Sequence, residues 1–207
     1  MDNSAKISNL KSSPLFNLSL VNKELFHSNF LAWFGREYDL LFKNLICGIG
    51  DDKCLEWSKD LNGFSICREY KHFDLCVIDN NQNLRLIIEN KVKSVPTKKQ
   101  LKEYEEVIIK NYKDIESVVF ILLTMSKELQ DEYDPNIQLK FNWKRVTYTE
   151  LSANLRKLAD KINNDYHKSL VVDYCNYVSN LQEIIADTAN VKNYKWLLFW
   201  RTNQVCL

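Results

Sequence analysis

Apolar and polar positions along the 207-residue chain follow two rhythms, one of helical period and one of strands broken by polar turns. From about Asn22 to Ile46 the apolar residues Phe26, Phe30, Trp33, Phe34, Leu41 and Leu45 recur at helical spacing, with Gly35 as a kink or a junction between two helices. Residues 54–61 predict a short helix and 64–70 a strand. Two apolar strands follow, Phe73 to Ile78 and Leu84 to Lys91, joined by the turn formers Asp79-Asn80-Asn81-Gln82-Asn83. Pro96-Thr97 opens a helix from Lys98 to about Tyr112, with Leu101, Tyr104, Ile108 and Tyr112 on its buried stripe. Strands at 118–124 and 143–148 and helices at 150–162 and 170–185 complete the pattern, while residues 1–18 read as an irregular segment broken at Ser12-Ser13-Pro14. The expected class is α/β: a mixed sheet of four to five strands flanked by helices, in one domain over 1–207.

Composition supports that reading. With 45% hydrophobic residues, 4 Gly and 3 Pro, the chain can bury a core, lacks a linker and is poor in the turns of an all-β protein. A formal charge of +1 gives no global pull toward polyanions, so nucleic-acid affinity must come from local patches. Lys91, Lys93, Lys98, Lys99 and Lys102 form one such cluster, and they equally suit a solvated loop and helix start. The six cysteines (47, 54, 67, 76, 175 and 206) contain no Cys-x-x-Cys pair and follow no secretory signal, so they read as reduced thiols of a cytoplasmic protein. No apolar run is long enough to cross a bilayer, so no membrane partner is expected.

The chemistry concentrates in the hairpin. If its turn is centred on Asn81-Gln82, cross-strand partners have numbers that sum to 163, and Asp74 faces Glu89. Opposed side chains have Cβ atoms about 5 Å apart. Carboxylates held so close repel unless one is protonated or a cation lies between them. Lys91 emerges on the same face as Glu89. Two acids and a lysine suit hydrolysis of a phosphodiester around a hard divalent ion. The alternative is a solvated strand face with Asp74 at its edge, against which stands the apolar run Leu84-Arg85-Leu86-Ile87-Ile88 leading into Glu89.

These residues resemble the PD-(D/E)xK nuclease superfamily, with its restriction-endonuclease-like fold. The likeness runs from Phe73-Asp74-Leu75 to Ile88-Glu89-Asn90-Lys91 and on to Gln100-Leu101-Lys102-Glu103-Tyr104, similar to a bacterial branch with Ile-Glu-Asn-Lys followed by Gln-Leu-x-x-Tyr. Glu24 ahead of His27-Ser28, the strand ending Leu123-Thr124, and Thr147-Tyr148 leading into a helix extend it over about residues 20–185. His72-Phe73-Asp74 stands where the superfamily usually has a proline before the acid or, in this branch, an Arg-Ile-Asp or Arg-hydrophobic-Asp step. Relatives of this type often carry further sequence after the core, so the chain is either a short member or a fragment.

The resemblance implies a metal site of Asp74, Glu89 and the carbonyl oxygen of Asn90, holding Mg²⁺ or in its place Mn²⁺. It makes Lys91 the assistant of the attacking water and puts Glu24 and Gln100 in an outer ring. Glu24 is otherwise a first-turn acid favoured by the helix dipole. Gln100 otherwise completes a capping box with Thr97, and Tyr104 is read as packing with a polar tip. Glu69 matches a glutamate often seen before the first acid. Five residues from Asp74, it falls on the opposite face of an unbroken strand, and only a bulge would bring it to the metal. The implied function is a Mg-dependent phosphodiesterase acting on nucleic acid, DNA ahead of RNA, with a homodimer allowed. The competing reading is a catalytically silent nucleic-acid- or partner-binding module of a bacterial defence or mobile-element system. Nothing supports another enzyme class, since there is no Gly-rich phosphate loop, Cys-His pair or His-rich motif.

Overall fold

The computed structural model describes residues 7–8, 13–19, 23–50, 63–92, 97–113, 115–125 and 138–190, apart from the side chains of 14, 17, 23, 24 and 185–190. The elements are α1 (Pro14–Ser19), α2 (Lys23–Glu37), α3 (Asp39–Ile49), β1 (Phe64–Tyr70), β2 (Phe73–Asp79), β3 (Leu84–Lys91), α4 (Lys98–Asn111), β4 (Val119–Thr124), β5 (Lys144–Thr147), α5 (Tyr148–Ala159) and α6 (Asp165–Asn190). The short helix expected over 54–61 lies outside the described residues.

The five strands form a single mixed sheet in the order β1-β2-β3-β4-β5. The first three are joined by antiparallel hairpins, and β3-β4 and β4-β5 are parallel. A parallel pair needs a crossover, and α4 supplies it between β3 and β4. Alternation along the strands separates two cores. Leu75, Val77, Leu86, Ile88, Ile121 and Leu123 join the residues of α2, α3, α5 and α6 on one face. Cys76, Ile78, Ile87, Phe120 and Leu122 meet Leu101 and Ile108 of α4 on the other. Every residue of β4 is buried, as a central strand covered on both faces requires.

Local chemistry moves several boundaries. The N-terminal segment is not irregular over its last turn. Pro14 takes the first helical position of α1, the Ser13 hydroxyl accepts the Phe16 N–H at 3.3 Å, and Leu15 and Phe16 enter the core. Gly35 is neither kink nor junction but lies inside α2, where an added Cβ would run into the Ile66 side chain and the Phe42 ring. The break falls at Tyr38, whose φ of −136° and ψ of 63° leave the helical region. The last helix starts five residues before its apolar stripe because the Asn164 side chain accepts the His167 N–H at 3.0 Å. At α5, Thr147 and Glu150 form a complete capping box.

Glu105 of α4 is a buried carboxylate with a structural task. It accepts the N–H groups of Lys140 and Phe141 at 2.8 and 2.9 Å and the Trp143 indole N–H at 3.3 Å. The segment before β5 is thereby tied to α4, with Trp143 beside Tyr104 and Phe120.

Candidate active site

The β2-β3 hairpin sets the geometry. Leu75↔Ile88, Cys76↔Ile87 and Val77↔Leu86 all sum to 163, and the register shifts at Ile78↔Leu84. The extra residue is Arg85, so the loop centres on Asn81 and the bulge restores the 163 register toward the site. Asp79 secures this turn by accepting the Asn81 and Asn83 N–H groups, each at 2.8 Å, and pairing with Arg85.

Beyond Leu75↔Ile88 a side chain replaces the backbone ladder. Oδ2 of half-buried Asp74 accepts the N–H of Asn90 at 2.7 Å, which draws the start of β2 to the end of β3. Glu89 shares the α4 face of the sheet with Ile87, whereas Asn90 turns to the opposite face and donates its Nδ2 to Ser28 Oγ of α2 at 2.5 Å. Ser28 therefore anchors the segment between Glu89 and Lys91 from behind. Glu24 lies one turn earlier in α2, and its side chain is outside the described residues.

Glu89 is only 1% exposed, and its two oxygens have different surroundings. Oε1 receives the Lys91 ammonium at 2.7 Å and the Tyr104 hydroxyl at 3.0 Å. Oε2 is buried and accepts no hydrogen bond from the described residues. Burial, and after it the charge of Asp74, push the Glu89 pKa up to about 7 against the opposing effects of Lys91 and Tyr104. Burial and the Glu89 carboxylate in turn push the Tyr104 phenol upward and keep it a donor.

Gln100 reaches this cluster through a relay. Thr97 caps the Gln100 N–H at 3.2 Å, but the Gln100 amide turns away and donates to the Tyr104 hydroxyl at 2.9 Å. Only half of the expected capping box is made, and Tyr104 does more than pack. Its spacing of four residues from Gln100 on one helix was the available signal. His27 stays out of the cluster, buried with Nδ1 2.8 Å from the Tyr174 hydroxyl and stacked on Tyr177.

A family model described as the PD-(D/E)XK nuclease superfamily matches residues 15–176. The chain belongs to that superfamily. No curated protein and no solved structure matches it. The matched span runs from α1 into α6, and the mixed five-stranded sheet flanked by helices agrees with the superfamily's restriction-endonuclease-like fold.

In this PD-(D/E)XK chain Phe73, in the usual place of proline, is buried with its ring 5.8 Å from Tyr104. The reading of Glu69 needs correction, because a two-residue turn, Lys71-His72, separates β1 from β2. The register Arg68↔Leu75 and Tyr70↔Phe73 leaves Glu69 in the position opposite Asp74. Its φ of 51° interrupts the regular pleat, and the side chain is exposed. Lys98, Lys99 and Lys102 lie in the first turns of α4, and Lys93 is outside the described residues.

PD-(D/E)XK nucleases usually use divalent metals. Among the described residues no three His, Cys, Asp or Glu side chains gather as a metal cluster. The available donors are two carboxylates and backbone oxygen. These hard oxygen ligands, together with the bare Oε2 of Glu89, fit a divalent ion that keeps much of its own water. No helix among the described residues is long and apolar enough to cross a membrane.

Proposed function

We propose that this protein is a Mg²⁺-dependent nuclease that hydrolyses phosphodiester bonds in DNA, with Asp74, Glu89 and the Asn90 carbonyl oxygen as ligands of the ion. The observation that carries the reading is the divided Glu89 carboxylate: one oxygen is held by Lys91 and Tyr104, and the other is buried with no hydrogen bond. A buried bare acceptor costs about 1–3 kcal/mol, which a bound cation would recover. When bound, the ion supplies an acidified water and neutralises charge on the phosphorane-like transition state.

The protein's own residues do the positioning. Asp74 binds the Asn90 N–H and so sets the distance between the two strands carrying the acids. Lys91 brings an ammonium into contact with Glu89, and in this reading it donates to the attacking water or to a phosphate oxygen. Tyr104 holds Glu89 in place from α4 with Gln100 behind it, and Glu24 is assigned to the outer ring on the family resemblance alone. A second reading, motivated by the near-neutral charge of +1, is a nucleic-acid- or partner-binding module without catalysis.

The test is cleavage of single- and double-stranded DNA and of RNA by purified protein, with Mg²⁺ and with chelator. Cleavage of DNA should require the ion and fall by about 100-fold or more in Asp74→Ala and in Lys91→Ala, with circular dichroism unchanged. Undiminished cleavage by both variants would refute the site. Calorimetry showing no divalent-ion binding alongside retained affinity for DNA would favour the binding module.

A further inference from the structure

β1 and β2 carry a pair of thiols whose alignment is set by the register. Cys67 and Cys76 are direct partners in the antiparallel ladder. Direct antiparallel partners have Cα atoms about 4.5–5.5 Å apart, within the roughly 4.4–6.8 Å that a disulfide spans. The two side chains lie on the α4 face and are close enough to hydrogen-bond to each other. Both are free thiols; Cys67 is half-buried and Cys76 fully buried.

We propose that Cys67 and Cys76 form an oxidative modification site, a reversible disulfide across β1 and β2 made on exposure to a peroxide. Cys67, the accessible member, attacks one oxygen of hydrogen peroxide. The O–O bond breaks, and a Cys67 sulfenic acid and one water result. The Cys76 sulfur then attacks the Cys67 sulfur, the S–O bond breaks, and the second oxygen leaves as water. Two electrons pass from the thiols to the peroxide, and both thiol protons end in the two waters. No other described cysteine is in this arrangement: Cys175 is buried on α6 with its thiol toward the Ser152 carbonyl, and Cys47 lies on α3. The cross-link would lie two residues from Asp74 along β2.

The site stands apart from the nuclease reading and is tested without it. The full chain is treated with a small excess of hydrogen peroxide, remaining thiols are alkylated, and unreduced peptides are mapped by mass spectrometry. Two of the six thiols should disappear together. A Cys67–Cys76 peptide about 2 Da lighter than its reduced parts should appear, and dithiothreitol should restore it. Cys67→Ser, a change at the half-buried member, should abolish the linked species. Recovery of Cys67 as sulfinic or sulfonic acid with Cys76 still alkylatable, or linkage of either mainly to another cysteine, would overturn the proposal. Because the mapping is done on the unaltered chain, it stands even if a serine variant folds poorly.

Discussion

Glu89 shows how one residue can tie stability to pH. Its pKa of about 7 lies above the ordinary glutamate value of 4.5 because it is buried beside Asp74. Between those values the folded chain holds a proton that the unfolded chain has released, so stability falls as pH rises through this window. The full effect is on the order of 3 kcal/mol. It should appear in urea unfolding with chelator present as a difference between wild type and Glu89→Gln that grows from pH 4.5 to 7.5. A difference that stays flat across that range would mean that the carboxylate is ionised throughout. The same residue shows the limits of reading neighbours from a chain. Its pairing with Lys91 follows from strand alternation, whereas the hydroxyl of Tyr104 and the anchor at Ser28 depend on where α4 and α2 land.

The elements were legible wherever a local signal marked them. β1 and β3 occupy the spans their apolar runs predicted, and β2 differs by one residue, since alternation and turn formers act within a few residues. Boundaries shifted where a capping side chain outweighed the apolar stripe, as at Asn164. Gly35 was misread because its reason is tertiary: it lets Ile66 of β1 and Phe42 of α3 approach α2. Helix propensity alone would favour Gly35→Ala by about 1 kcal/mol. Here Phe42 is fully buried and Ile66 nearly so, and overpacking costs about 1–3 kcal/mol. The variant should therefore be less stable than wild type by about 1 kcal/mol in chemical denaturation. A gain in stability would show that the Ile66 side chain swings aside freely.

At the scale of the molecule, a hairpin from one side of the sheet and helices from both sides meet at the end of β3. Mg²⁺ binding at that meeting point should stabilise the whole fold, by about 2.7 kcal/mol when the ion is at 100 times its dissociation constant. The rise in thermal midpoint should be larger at pH 8 than at pH 5.5, where the proton on Glu89 competes with the ion. It should vanish in Asp74→Ala, and an equal rise in that variant would place the ion elsewhere. The chain alone determined the strand-turn-strand unit, the face shared by Glu89 and Lys91, and the superfamily, because alternation, turn chemistry and motif spacing are short-range properties. Only the folded structure decided that Arg85 bulges to keep the register, that Tyr104 reaches Glu89 with Gln100 behind it, that Ser28 braces Asn90, and that Cys67 meets Cys76. Those outcomes depend on packing between segments far apart in the chain, where small shifts in register or helix placement change which side chains touch.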